Sequence, residues 1–245
     1  MSDLPAIGDA QTLVRTREAW HSVAEHVLAR ARYDATGRIG LRVASGGYGT
    51  PPYDRAGVSE ALHVVGTELR IARGDATVAH PLTTLGDAAG AVGIEPGAPA
   101  NVYPPVTPLD PSAPLAIDAD AAHVLATWFE LGWSALEDLR QLAGDEAEPS
   151  TLTLWPEHFD AAIELGNESR GGRGTFGVSP GDTEHSEPYA YVTHWADVAD
   201  DEYWNETAFP GASLPYATVA AATSAHGTLL DFLRAGLERL SSTSA

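Results

Sequence analysis

Residues 94–117, IEPGAPANVYPPVTPLDPSAPLAI, hold seven of the seventeen prolines in this 245-residue chain. Proline has no amide donor and a fixed φ, so the stretch cannot form a regular helix or a central strand. It reads as an extended connector. On that reading one compact domain consists of a lobe of residues 1–93, the connector, and a second lobe of residues 118–245.

The flanking segments carry clear periodicity. Within residues 12–33, Leu13, Trp20, Val23, Val27, Leu28 and Ala31 fall on one helical face. RIGLRVAS reads as a strand, ALHVVGTELRIARG as a hairpin turning at Gly66 and Thr67, and LTTLGDAAGAV as a short helix closed by Gly93. Beyond the connector, Asp118 is placed to cap a long helix whose stripe is Val124, Leu125, Trp128, Phe129, Gly132, Leu136 and Leu139. TLTLW and PYAYVTHW read as strands. Two helices close the chain, the last turning Leu229, Leu230, Leu233, Leu237 and Leu240 inward. PEHFDAAIELG admits two readings. A helix would start at Pro156 and stop at Gly166, whereas a strand would alternate Phe159, Ala161, Ile163 and Leu165 with His158, Asp160, Ala162 and Glu164. The strand is favoured, because a glycine-rich loop and TFGVS follow as a hairpin partner. The sum is an α+β fold, a mainly antiparallel sheet covered by amphipathic helices.

Composition removes several kinds of chemistry. There is no cysteine, so disulfides, thiolate nucleophiles and cysteine zinc sites are absent, and all fourteen basic residues are arginine, which removes lysine Schiff bases and the P-loop lysine. Residues 1–100 carry eleven acids against nine arginines, whereas residues 101–245 carry 23 against five, so nearly all of the net charge of −20 sits in the second part. Such a charge repels polyphosphate, and no nucleic-acid partner is expected. No apolar run approaches the roughly 20 residues that span a bilayer. The opening MSDLPAIGDAQTL also lacks the basic and apolar parts of a secretion signal, so no membrane partner and a cytoplasmic location are expected.

The strings LWPEHFDAAIELG, GTFGVSPGDTEHSEPYAYVTHW, WNETAFPGASLPYATV and LLDFLRAGLERL, with SGGYGTPPY nearer the start, resemble an uncharacterised actinobacterial family. A more distant similarity joins them to a broader domain of unknown function with a phenylalanine–aspartate strand, an aromatic YAY-like strand and an LPY helix start. The resemblance implies an α+β fold and a bacterial, cytoplasmic origin. It carries over no activity, cofactor or catalytic residue.

Site candidates concentrate in SPGDTEHSEPYAYVTHW and the PEHFD segment. In a strand, His158 and Asp160 share a face, and His185 and Glu187 do likewise if the next strand starts early. These four residues, with His194 in reserve, are the right types for a zinc, manganese or iron site, although their spacing matches no diagnostic motif. The competing reading is a solvated turn capped by Asp182. In NESRGGRGTFG, Arg170 and Arg173 read either as a carboxylate or phosphate clamp or as parts of a hairpin loop. Trp155, Tyr189, Tyr191, Trp195 and Trp204 either fill the core or wall a pocket whose polar groups are His158, Asp160 and His185. His21, His26, His63, His123 and His226 read as surface or helix-packing residues. The leading functional reading is a small-molecule pocket in the acidic lobe, with a divalent metal activating water for a hydrolase-like reaction. The alternative is a non-catalytic acidic module for protein interaction or ligand binding.

Overall fold

The computed structural model describes residues 4–199 and 201–243, which form two compact units. The first comprises residues 7–127 and 154–159, and the second residues 4–6, 128–153, 160–199 and 201–243. Both are α+β with antiparallel sheets.

In the first unit, helix α1 (Ala10–Val23) begins where the Asp9 carboxylate accepts from the Thr12 amide at 2.8 Å. A π-helical turn, Ala24–Ala29, follows without a break and leads into α2 (Arg30–Thr36), which Gly37 ends at φ 71°. Strands β1 (Arg42–Ala44), β2 (Gly47–Gly49), β4 (Val58–Val65), β5 (Glu68–Arg73) and β6 (Ala76–Pro81) pair in that order, and β3 (Tyr53–Arg55) pairs with β4. The β4–β5 turn falls at Gly66 and Thr67, where the hairpin signal put it. Helix α3 (Leu85–Val92) runs from a Thr84 cap to Gly93 at φ 82°. Trp20, fully buried, donates its indole N–H to the Gly66 carbonyl and accepts the Tyr48 hydroxyl at its own carbonyl, so the helix and sheet are pinned by hydrogen bonds as well as apolar area.

The proline-rich stretch has no helix or strand, as its composition requires. It lies inside the first unit, and its backbone is held by named bonds. Gly97 donates to the His26 carbonyl, Leu115 to the Thr83 carbonyl, and Pro111 accepts from Gly86. A chain without its own ladder satisfies its backbone on neighbours, which is why this stretch packs against α3 and the π turn.

Helix α4 (Ala119–Ala143) starts where Asp118 accepts from the amides of Asp120 and Ala121 at 3.0 and 2.9 Å, and the chain changes unit along it. The second unit's sheet has the order β11-β10-β9-β8, from β8 (Asp160–Leu165), β9 (Gly174–Ser179), β10 (Tyr189–His194) and β11 (Gly211–Pro215), and β7 (Thr153–Trp155) spans the point where the chain changes unit again. Helices α5 (Tyr216–Ala220) and α6 (Ala225–Thr243) follow, and Leu229, Leu233 and Leu240 are fully buried while Leu230 and Leu237 are half-buried. The ambiguous segment is a strand, but it starts late. Residues 156–159 form a turn closed by the Phe159 amide on the Trp155 carbonyl, with Phe159 at φ 53°. That left-handed conformation is costly for a bulky residue. It is held because the ring is 1% exposed, edge-on to Tyr48 and stacked on His21.

Candidate functional site

The two faces of the second unit's sheet differ in composition. One carries Ile163, Leu165, Phe176, Val178 and Val192, all nearly or fully buried, and it approaches α4 so closely that a Cβ on Gly132 would stand 2.3 Å from Val178. The other carries Asp160, Tyr189 and Tyr191, because side chains two apart on a strand share a face and Tyr191, Gly177 and Ala162 are in register across β10, β9 and β8. Gly177 decides what this face can do. The Tyr191 ring lies across it, with Cζ only 2.5 Å from where a Cβ would be, and so its hydroxyl reaches Asp160 and donates to the carboxylate.

Next to this pair is a second one. Tyr189, 7% exposed, donates its hydroxyl to Asp182 at 2.6 Å, and its ring lies 6.1 Å from that of Tyr191. Asp182 is the turn cap expected after Pro180–Gly181, accepting from the amides of Glu184 and His185 at 2.8 and 2.7 Å. Burial opposes ionisation of Asp182, but the Tyr189 hydroxyl and those amides outweigh it and hold the carboxyl below its usual range. Burial and Asp182 together keep the proton on Tyr189, and burial and Asp160 keep it on Tyr191.

His185 stands between two carboxylates. Its Nε2 is 3.1 Å from Glu206 and its Nδ1 3.5 Å from Asp182, while its ring lies 4.4 Å from Tyr189. Glu206 is partly desolvated, yet the amides of Ala208 and Thr207, Ser213 and His185 pull its pKa down to about 2. Phe209 completes the wall, 6.0 Å from Tyr191 and 6.5 Å from both Tyr189 and His185.

Asp160, His185, Tyr189 and Tyr191, each named from the sequence, therefore belong to one cluster. The other two members of the metal set, His158 and Glu187, do not join them. His158 is exposed on the turn before β8, because the strand starts after it, and Glu187 is exposed before β10. Among the described residues no group of three or more histidine or acidic side chains is placed to hold a metal ion. The remaining ligand candidates also go elsewhere. Trp155 ends β7 and is 37% exposed, and Arg170 is exposed on a short 3-10 turn. Arg173 is spent on its own loop, donating to the carbonyls of Glu148 and Gly166 and to Glu164, with Trp195 beneath its guanidinium. Trp195 is 46% exposed and donates to Thr175. His194 shares the face of Val192, opposite the site, and contacts Trp204 and the Ala196 carbonyl.

Glu206 and Phe209 were not legible as site residues, since Glu206 meets His185 across 21 positions with no motif between them. Gly177 did leave a signal. A lone glycine between Phe176 and Val178 in a strand marks a close approach. No helix of the described residues is long and apolar enough to cross a membrane. Compared with known proteins, the chain matches no family model, no curated protein and no solved structure.

Proposed function

We propose that the Tyr189–Tyr191 face of the second unit is a binding site for a small molecule that carries an amine or other hydrogen-bond donors. The observation behind this reading is the pair of adjacent tyrosine–carboxylate couples, Tyr191 with Asp160 and Tyr189 with Asp182, set against Phe209 and the Glu206–His185 pair. Aromatic rings supply apolar area, and a carboxylate accepts several hydrogen bonds at once. Ionised Asp182 and Glu206 favour a cation, and ring faces add to that preference. This is a binding function that needs no metal ligand set; it keeps Asp160, His185, Tyr189 and Tyr191 of the pocket read from the sequence, drops Trp155, His158 and Trp195, and leaves water activation aside.

Butylamine, butanol and butyrate have similar size and differ in charge. Titrated into the protein and followed by tyrosine ring NMR signals, butylamine should bind tightest and butyrate weakest. Tyr191→Phe and Asp182→Asn should each weaken butylamine by about tenfold, the equivalent of one charge-assisted hydrogen bond. Equal affinity for the three probes, or no effect of either substitution, would reject the reading.

A further inference from the structure

The first unit contains a second polar cluster, centred on the π turn, which the functional reading above does not use. Within that turn Glu25 is 0% and His26 1% exposed. A π turn adds a residue to the helix and rotates side chains out of the usual register, and such turns recur at functional sites. Here it puts two consecutive polar residues inside the protein.

Glu25 is fully engaged as an acceptor. The Val106 amide reaches Oε1 at 3.0 Å, and the Thr107 amide and hydroxyl reach Oε2 at 2.8 and 2.5 Å. These bonds tie the proline-rich stretch to the helix, and they also fix the protonation of His26. Its Nε2 lies 3.0 Å from the Thr107 carbonyl, which can only accept, and 3.1 Å from the Thr107 hydroxyl, whose hydrogen is directed to Glu25. Nε2 must therefore carry the proton in neutral His26. Nδ1 is left with a bare lone pair, and it is buried without a protein partner.

Two half-exposed residues carry buried polar ends as well. Tyr103 and Glu157 normally would turn a hydroxyl and a carboxylate to water, yet the Tyr103 hydroxyl and Glu157 Oε2 are buried and have no protein partner. Burial, followed by the nearby Glu25 and Glu157, keeps the proton on Tyr103. Burial raises the Glu157 pKa as well, and Glu25 adds to the rise. His21 borders the cluster, 3.8 Å from Glu25, and its Nε2 must donate to the Pro156 carbonyl at 2.8 Å. Burial lowers its pKa despite Glu25, with Arg17 and His26 acting in the same direction as burial, so the ring is held neutral. Buried polar atoms in native proteins are almost always hydrogen-bonded. Three orphans, two on residues near enough to feel the charge of Glu25 and the third on the residue after it, thus ask for a polar molecule.

We propose that Tyr103, Glu157 and His26 form a binding site for a small neutral molecule with an adjoining carbonyl and N–H group, the carboxamide class. The Tyr103 hydroxyl donates to the carbonyl, Nδ1 of His26 accepts the N–H, and Glu157 Oε2 supplies a further polar contact. An anion is disfavoured by Glu25, and a simple cation offers no acceptor to the Tyr103 hydroxyl. Glu25 and Thr107 are positioning residues, since they act on the ligand only through the His26 tautomer.

Acetamide, acetate and methylammonium test this on the full chain, observed through the ring signals of isotope-labelled histidine. The free protein should show His26 as the Nε2–H tautomer. Acetamide should shift the His26 signals saturably, with the two ions binding at least tenfold more weakly. Tyr103→Phe and Glu157→Gln, both close in shape to the native residues, should each lower acetamide affinity about tenfold, as expected for a buried hydrogen bond. Saturable shifts from acetate or methylammonium in preference to acetamide would overturn the ligand class. An Nδ1–H tautomer, no shift with any probe, or unchanged affinity in both variants would overturn the site. His26→Gln, which retains an acceptor, separates loss of binding from loss of folding when its thermal unfolding is compared with that of the native chain.

Discussion

Tyr191 on β10 hydrogen-bonds Asp160 on β8 over the top of the intervening strand, through the space left by Gly177 on β9. A side chain at that position meets the ring itself, since the ideal Cβ lies 2.5 to 2.6 Å from three atoms of Tyr191. Gly177→Ala is expected to push Tyr191 away from Asp160 and to cost about 1–3 kcal/mol, the range for overpacking. Urea unfolding measures this. The cost should largely vanish in a Tyr191→Ala background, where the clash is gone, and an undiminished cost there would place the damage in the strand backbone instead.

Glu60 on β4 is a buried carboxylate with three partners. The Tyr53 hydroxyl donates at 2.5 Å, Arg55 lies at 3.2 Å and Arg73 is closer still. Burial works against its charge, and Tyr53, Arg73 and Arg55 together bring the pKa below the ordinary value of 4.5. Glu60→Gln should cost about 2–3 kcal/mol, near the value of hydrogen bonds to a charged group. The larger penalty for breaking a fully buried pair does not apply, because both arginines are partly exposed and can turn to water. The folded pKa is depressed, so the native chain keeps this contribution above pH 4.5 and loses it on acidification. Chemical denaturation at neutral and acid pH should show the gap between native and variant narrowing as the pH falls.

The helices and their caps were readable because each depends on neighbours close in sequence. Asp118, Gly93 and the leucines of α6 follow from spacing alone, and so does the Asp182 turn. The start of β8 was not, because Phe159 adopts a left-handed conformation that only its burial against Tyr48 and His21 makes affordable. His158 consequently falls outside the strand. The π turn was invisible for a related reason. Its apolar periodicity matches an ordinary helix, and Glu25 and His26 find their partner in Thr107, 81 and 82 residues away. Local pattern cannot report a bond of that length.

Asp118 offers a clean measure of one of those legible features. It accepts from two amides at the start of α4, and its own amide donates to Thr16 at 3.0 Å. Asp118→Ala removes only the side-chain bonds and should cost about 1 kcal/mol, whereas Asp118→Asn should cost a fraction of that because asparagine caps nearly as well. Equal losses for the two substitutions, read from thermal unfolding, would show that charge rather than capping is at stake.

Glu206 gives the second unit an acid limit. Its folded pKa of about 2 lies below its ordinary 4.5, so its contribution is complete above pH 4.5 and disappears as the pH falls toward 2. Most of that depression comes from the Ala208 and Thr207 amides and Ser213, and His185 adds to it through the contact at 3.1 Å. The native melting temperature should therefore fall more steeply between pH 4.5 and 2 than that of Glu206→Gln, which has no such proton to gain. His185→Ala should keep the steep fall but move it to higher pH, since the carboxylate loses a partner while keeping its amides. Parallel melting curves for the native chain and Glu206→Gln would mean that the Glu206 carboxylate holds no part of the fold. The 182–187 turn would then owe its place to Asp182, Tyr189 and the two amides that Asp182 caps.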